Sequence, residues 1–192
     1  MEQSINKESI AGISTGKIGM WTFLVSEIMF FTGLIGSYIV LRFGASSWPN
    51  PSEFLNTKIL TFNTLVLLTS SLTMALSVDA AQKNDMSKLL KNLFLTLLLG
   101  IIFLVVKAYD YVHMWGNGFT ISTNLLGSFY YLITAFHGLH VLSGLIFILT
   151  LIVGVKKGRY SSSNYGRIEY CGLYWHFVDI IWVIVFGAVC LI

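Results

Sequence analysis

The residues best able to do chemistry in this chain stand inside long apolar runs, where ionisable groups are hardest to keep. Glu27 has Phe23, Leu24, Phe30 and Phe31 as its helical neighbours three and four positions away. A carboxylate at the centre of such a helix costs about 2.5–3.5 kcal/mol in a bilayer, even on the lenient insertion scale. Glu27 has no partner on its own helix, so it must bond to another helix or remain uncharged. Two readings follow: a proton-handling or lipid-headgroup site, or an anchor for an interhelical hydrogen bond. His176 and Asp179 lie three apart, flanked by Trp175 and Trp182. They share a helix face and are expected to satisfy each other through one charge-assisted hydrogen bond, with proton transfer the competing reading. His137 and His140 repeat the same spacing. With His176 they reach the minimum for a metal, or for a haem held between two helices. Any bundle with three buried histidines passes that test, so cross-helix hydrogen bonding is the expectation and no metal or cofactor is assigned. No nucleotide-binding GxxxxGK[ST] or GxGxxG loop occurs. Cys171 and Cys190 form neither a CxxC site nor a disulfide framework. On one helix they would be about 28 Å apart, too far to pair.

The elements that must carry these groups follow from composition. The chain has 192 residues, of which 55% are hydrophobic and 11% charged. Soluble domains carry about 25% charged residues. Less than half that share cannot cover a water-facing surface, which excludes a soluble enzyme and a disordered tail. A net charge of +3, scattered along the chain, excludes a nucleic-acid binder. A bilayer core of about 30 Å needs roughly 20 helical residues to cross it. Five runs qualify, about 18–42, 59–78, 89–109, 125–155 and 170–191, after a polar segment at 1–17. They are continuous and not alternating, so the fold class is an all-α integral membrane bundle of five helices in one domain, 18–192. Lys91 and Lys107 fall near the ends of the third run, where their long side chains are expected to snorkel. Gly33, Gly36, Gly127 and Gly144 are expected to allow close helix contact. The 14 Phe, 9 Tyr and 5 Trp read as lipid-facing bulk and interfacial belts.

Basic residues give the orientation. With the N-terminus inside, the inner segments hold Lys7, Lys17, Lys83, Lys88, Lys91, Lys156, Lys157, Arg159 and Arg167, nine in all, against Arg42, Lys58 and Lys107 outside. The N-terminus is therefore expected in the cytoplasm and the C-terminus in the periplasm. The first seventeen residues have neither the basic-then-apolar pattern of a signal peptide nor the Arg-rich, acid-poor character of a transit peptide. A bacterial inner membrane is the expected location.

Five residue runs say more. Gly19-Met20-Trp21 with Ser26-Glu27-Ile28-Met29-Phe30-Phe31, Phe62-Asn63-Thr64, Phe119-Thr120-Ile121, Phe136-His137-Gly138-Leu139-His140-Val141 and Tyr174-Trp175-His176-Phe177-Val178-Asp179 occur in that order. They resemble subunit III of the haem–copper (cytochrome c) oxidases, in a short five-helix bacterial form. The resemblance covers nearly the whole chain from Gly19. It implies an accessory subunit with no catalytic residue and no redox centre of its own. Such a subunit packs against the catalytic subunit I, which holds haems and copper, with subunit II and small subunits nearby. It supports proton uptake, stability and phospholipid binding during aerobic electron transport and proton translocation. Glu27 matches the family's buried glutamate. His137, His140, His176 and Asp179 match its buried polar set, and Glu169 matches a further acid before the last helix. The longer family members have two more helices before the position of Gly19, and their lipid cleft lies between that pair and the other five. Asp110 stands where the family usually has Glu, and no role is transferred to it. Two other classes compete: a b-type haem anchor that carries electrons, and a proton-coupled transporter using Glu27 and Asp179.

Overall fold

The computed structural model describes residues 9–10 and 13–191. Two short strands, β1 (Ser9–Ile10) and β2 (Ile13–Ser14), pair antiparallel ahead of the helices. Five long helices follow: α1 (Thr15–Gly44), α3 (Thr57–Gln82), α4 (Met86–Gly116), α5 (Leu125–Lys156) and α6 (Gly166–Val185), with a single turn, α2 (Pro51–Phe54), before α3. A π-helical turn, Phe186–Leu191, prolongs α6. All five long helices are of a length and apolarity to cross a membrane.

Four of the five helices run several residues beyond the apolar runs, and capping side chains, not hydropathy, set the starts of α3 and α4. The Asn56 side chain accepts from the Lys58 and Ile59 N–H groups and opens α3. Asp85 does the same for α4 from Lys88 N–H at 3.0 Å, and Asn124 for α5 from Gly127 N–H at 2.8 Å. These bonds, with the Lys88 ammonium beside it, hold the Asp85 carboxyl below the usual carboxylate range. Pro51 starts α2, where its missing N–H costs nothing. Asn84 takes φ 58° and closes α3 two residues before α4 begins, so these two helices form a tight antiparallel hairpin.

The core lies among α3, α4, α5 and α6, with α1 laid mainly against α6 and partly against α5. The aromatic expectation holds for Phe43, Phe62, Phe94 and Trp115, which are exposed, and needs correction for others. Trp175, Trp182, Tyr38, Tyr130, Phe31 and Phe103 are fully buried and form the centre of the protein, not its lipid belt. The two fully buried indoles of α6 have found partners on α3: Trp175 Nε1 donates to Ser70 Oγ and Trp182 Nε1 to Thr64 Oγ1, both at 3.0 Å. An indole N–H left bare in an apolar interior would be costly, so these two bonds fix the register of α6 on α3. A third polar pair, Thr73 with Thr96 at 2.7 Å, links α3 to α4.

The expectation of close helix contact holds at Gly144, whereas Gly127 meets only the loop before α5. A Cβ on Gly144 would sit 2.8 Å from the Trp175 ring, and one on Gly127 would sit 2.6 Å from the Thr120 carbonyl oxygen. Gly33 and Gly36 have nothing within 4 Å of that position, so they mark no close contact in this chain.

Candidate functional site

Glu27 stands twelve residues into α1, about 18 Å along it. It meets His140 of α5, with Oε2 2.9 Å from Nε2. Of the two possibilities open to Glu27, it has taken a partner on another helix. The His140 ring also fixes how protons are arranged. Its Nδ1 lies 2.7 Å from the Phe136 carbonyl oxygen, which can only accept, so Nδ1 carries a hydrogen. Nε2 is then either bare, with Glu27 donating to it, or protonated and donating to a carboxylate. In both cases one proton is shared between Glu27 and Nε2. Phe31 and Phe30 pack on the imidazole, with ring centroids 5.0 and 6.4 Å away. The Tyr174 hydroxyl donates to the His140 carbonyl at 3.0 Å, bracing α6 against the same turn of α5.

The expected His176–Asp179 bond does not form. His176 Nδ1 is instead 2.7 Å from Ser71 Oγ, across on α3. Neither oxygen of Asp179 has a hydrogen-bond partner among the described residues, although the side chain is buried. The Ser71 hydroxyl that faces His176 also acts on this carboxyl, so Ser71 stands between the two side chains. A shared helix face is thus not enough, because the imidazole finds a shorter route to the neighbouring helix. His137 departs from expectation too. It is fully buried between the rings of Phe103 and Trp182, at 5.7 and 5.0 Å, and neither ring nitrogen has a partner among the described residues. His140 and His176 do make the cross-helix bonds expected of the histidines; His137 does not. No three His, Cys, Asp or Glu side chains converge among the described residues.

Glu169 sits at the start of α6 and accepts from Lys17 Nζ at 2.6 Å, tying the first turn of α1 to the first turn of α6. Both side chains are about a third exposed, so this pair orients the helices more than it stabilises them.

One cluster was not foreseen. Lys107 does not snorkel: α4 continues nine residues past it, and its side chain is 5% exposed. Its Nζ donates to Asp110 Oδ2 at 3.2 Å and to Tyr130 Oη at 2.5 Å, and the Tyr130 hydroxyl donates to the same Asp110 oxygen at 2.7 Å. The ammonium lies over the rings of Tyr130, Tyr111 and Trp182, 4.3 to 5.4 Å from their centroids. The spacing of Lys107 and Asp110 was a visible signal, and the apolar residues beyond Asp110 hid how deep the pair lies. The segment leading into α1 carries one further pattern. Gly12-Ile13-Ser14-Thr15-Gly16 spells GxSxG. A serine elbow needs a sheet strand feeding a helix, and the strand here is two residues long.

Comparison with known proteins agrees with this arrangement. The family model described as "Cytochrome c oxidase subunit III" matches residues 2–191. The chain is 38% identical over 187 residues to a probable cytochrome c oxidase subunit 3 of Nocardia farcinica, covering 97% of this chain and 90% of that protein. It is 34% identical to cytochrome c oxidase subunit 3 of Corynebacterium diphtheriae over 86% of this chain and 82% of the other. It is 32% identical to that of Alkalihalophilus pseudofirmus over 90% and 84%. Five membrane-length helices, a mid-span acid paired with a histidine and matches along the whole chain agree: the chain belongs to the cytochrome c oxidase subunit III family.

Proposed function

We propose that this chain is an accessory subunit of a respiratory cytochrome c oxidase in a bacterial inner membrane, with its N-terminus cytoplasmic and its C-terminus periplasmic. It carries no active site. The haems and copper belong to partner subunits, the catalytic subunit I foremost, with subunit II and small subunits completing the complex. Its task is to support proton uptake, stability and lipid binding of the catalytic subunit. The observation that carries this reading is the 2.9 Å contact between Glu27 Oε2 and His140 Nε2, well inside the span of α1. Such a pair can hold or pass a proton, and no nucleophile or redox group is set beside it. Glu169, His137, His176 and Asp179 then act as the polar framework around that function. An apolar cavity of about 590 Å³ runs between α1 and α6, lined by Trp21, Ile28, Phe31, Ile35 and Phe177, and it suits a phospholipid acyl chain.

The test is Glu27→Gln in the assembled oxidase. A Gln amide keeps a donor toward His140 Nε2 but removes the mobile proton. Initial oxygen consumption, on samples matched for haem content, should stay near the wild-type rate. Proton uptake, lipid retention or inactivation during sustained turnover should change. A hundredfold loss of the initial rate with all subunits present would show that Glu27 lies on the obligatory reaction path and overturn the accessory reading.

A further inference from the structure

The Glu27–His140 contact joins two helices that share little else. α1 lies mainly on α6 and meets α5 over a short stretch. The two side chains are 21% and 17% exposed, so the pair stands at the margin of the chain. The separation of α1 from α5 at this depth is therefore set through α6, and one α6 side chain reaches both. The ring of Tyr174 packs on Phe23 of α1, four residues before Glu27, with centroids 6.1 Å apart. Its hydroxyl lies 3.0 Å from the His140 carbonyl oxygen and 2.6 Å from Ser143 Oγ, which itself donates to that carbonyl at 2.8 Å. The tyrosine proton can go to either acceptor, and both routes end on the backbone of His140. Gly144 allows this approach: a Cβ there would sit 3.2 Å from the edge of the Tyr174 ring. One turn earlier, the Phe136 carbonyl takes the Nδ1 hydrogen of the same imidazole. His140 is thus fixed at its backbone by Tyr174 and at its ring by Phe136, with Nε2 left to face Glu27.

We propose that Tyr174 is a positioning residue for the Glu27–His140 pair, and that its hydroxyl sets the separation across which the pair shares its proton. The inference rests on the reading of that pair as the site through which the chain supports the oxidase. Tyr174 acts through others: through the His140 backbone on α5 and through Phe23 on α1. Removing the hydroxyl alone leaves the ring packed on Phe23 and Phe177, yet frees the turn of α5 that carries His140. A contact of 2.9 Å lies at the favoured length for such a bond, and it weakens steeply as its angle opens. A small slip of that turn is therefore felt directly by the shared proton.

The experiment compares Tyr174→Phe, Glu27→Gln and the double variant in the assembled oxidase, with Tyr131→Phe as control. Tyr131 also sits on α5, and its hydroxyl donates to the Phe119 carbonyl, away from Glu27. The infrared bands of the Glu27 carboxyl are isolated in each background by the Glu27→Gln change. They should move in Tyr174→Phe and stay in place in Tyr131→Phe. Whichever property Glu27→Gln alters, whether proton uptake, lipid retention or inactivation during sustained turnover, Tyr174→Phe should alter in the same direction and at least half as far. The double variant should match Glu27→Gln alone, because a residue that acts through Glu27 then has nothing left to position. An additive double variant, Glu27 bands unmoved in Tyr174→Phe, or bands moved equally in Tyr131→Phe would each overturn the proposal. If Tyr174→Phe fails to assemble, replacement of Tyr174 by 3,5-difluorotyrosine keeps the ring and changes the donor strength of the hydroxyl, and the Glu27 bands must still move. A Glu27→Gln oxidase unchanged in all three properties would sink the reading of the pair itself, and the infrared bands would then decide the role of Tyr174 alone.

Discussion

Lys107 is the residue whose removal should be felt most. Its ammonium and the Asp110 carboxylate are both almost fully buried and share Tyr130. Removing one member leaves the other charge buried without compensation, which costs about 3–5 kcal/mol. Lys107→Met should therefore lower stability strongly, and the double change Lys107→Met with Asp110→Leu should recover most of the loss. Thermal unfolding of the purified protein in detergent reads both. A double variant no better than Lys107→Met would mean that the cluster does not act as a pair. The contrast with Glu27 shows how far residue-level reading reaches. Its apolar neighbours required a partner from elsewhere, and His140 supplies it. Which residue would supply it depended on helix rotation, which one sequence does not encode locally. His176 failed for the same reason. Its spacing to Asp179 was correct, but the rotamer that reaches Ser71 depends on how α3 packs.

At the scale of elements, hydropathy located all five long helices, and capping side chains moved the starts of α3 and α4 outward. Which faces meet was less accessible. Small residues permit contact without saying whether contact occurs. Gly100 and Gly144 together clasp Trp175: a Cβ on Gly100 would lie 2.6 Å from Leu145 and 2.9 Å from the Trp175 ring. That ring cannot retreat without losing the Nε1 bond to Ser70. Gly144→Val should thus destabilise by overpacking, by about 1–3 kcal/mol or more. Gly33→Ala and Gly36→Ala should be neutral or stabilising by up to about 1 kcal/mol, because helix propensity improves and nothing is displaced. The three variants can be ranked by the temperature at which half the protein remains folded in detergent. Gly144→Val ranking above Gly33→Ala would contradict the packing of α5 on α6.

For the molecule as a whole, the buried lysine bears on direction across the membrane. Lys107 was counted among three basic residues on the outer side, but it faces the protein interior and offers no charge to either surface. At that end only Arg42, which also donates to the Tyr38 hydroxyl at 2.9 Å, and Lys58 remain. The opposite end keeps Lys17, Lys83, Lys88, Lys91, Lys156, Lys157, Arg159 and Arg167 at helix ends or in loops among the described residues. The bias that retains basic loops on the cytoplasmic side is thus stronger than the sequence count implied. Ser47, in the loop after α1, and Ser162, in the loop before α6, are both exposed and lie at opposite ends. Ser47→Cys should react with a membrane-impermeant maleimide in intact spheroplasts. Ser162→Cys should react only after the membrane is opened. The parent chain provides the background, and its Cys171 is buried and should contribute none. Reaction of Ser162→Cys in intact spheroplasts, with Ser47→Cys protected, would invert the topology. It would also move Glu169 and its Lys17 partner to the periplasmic side.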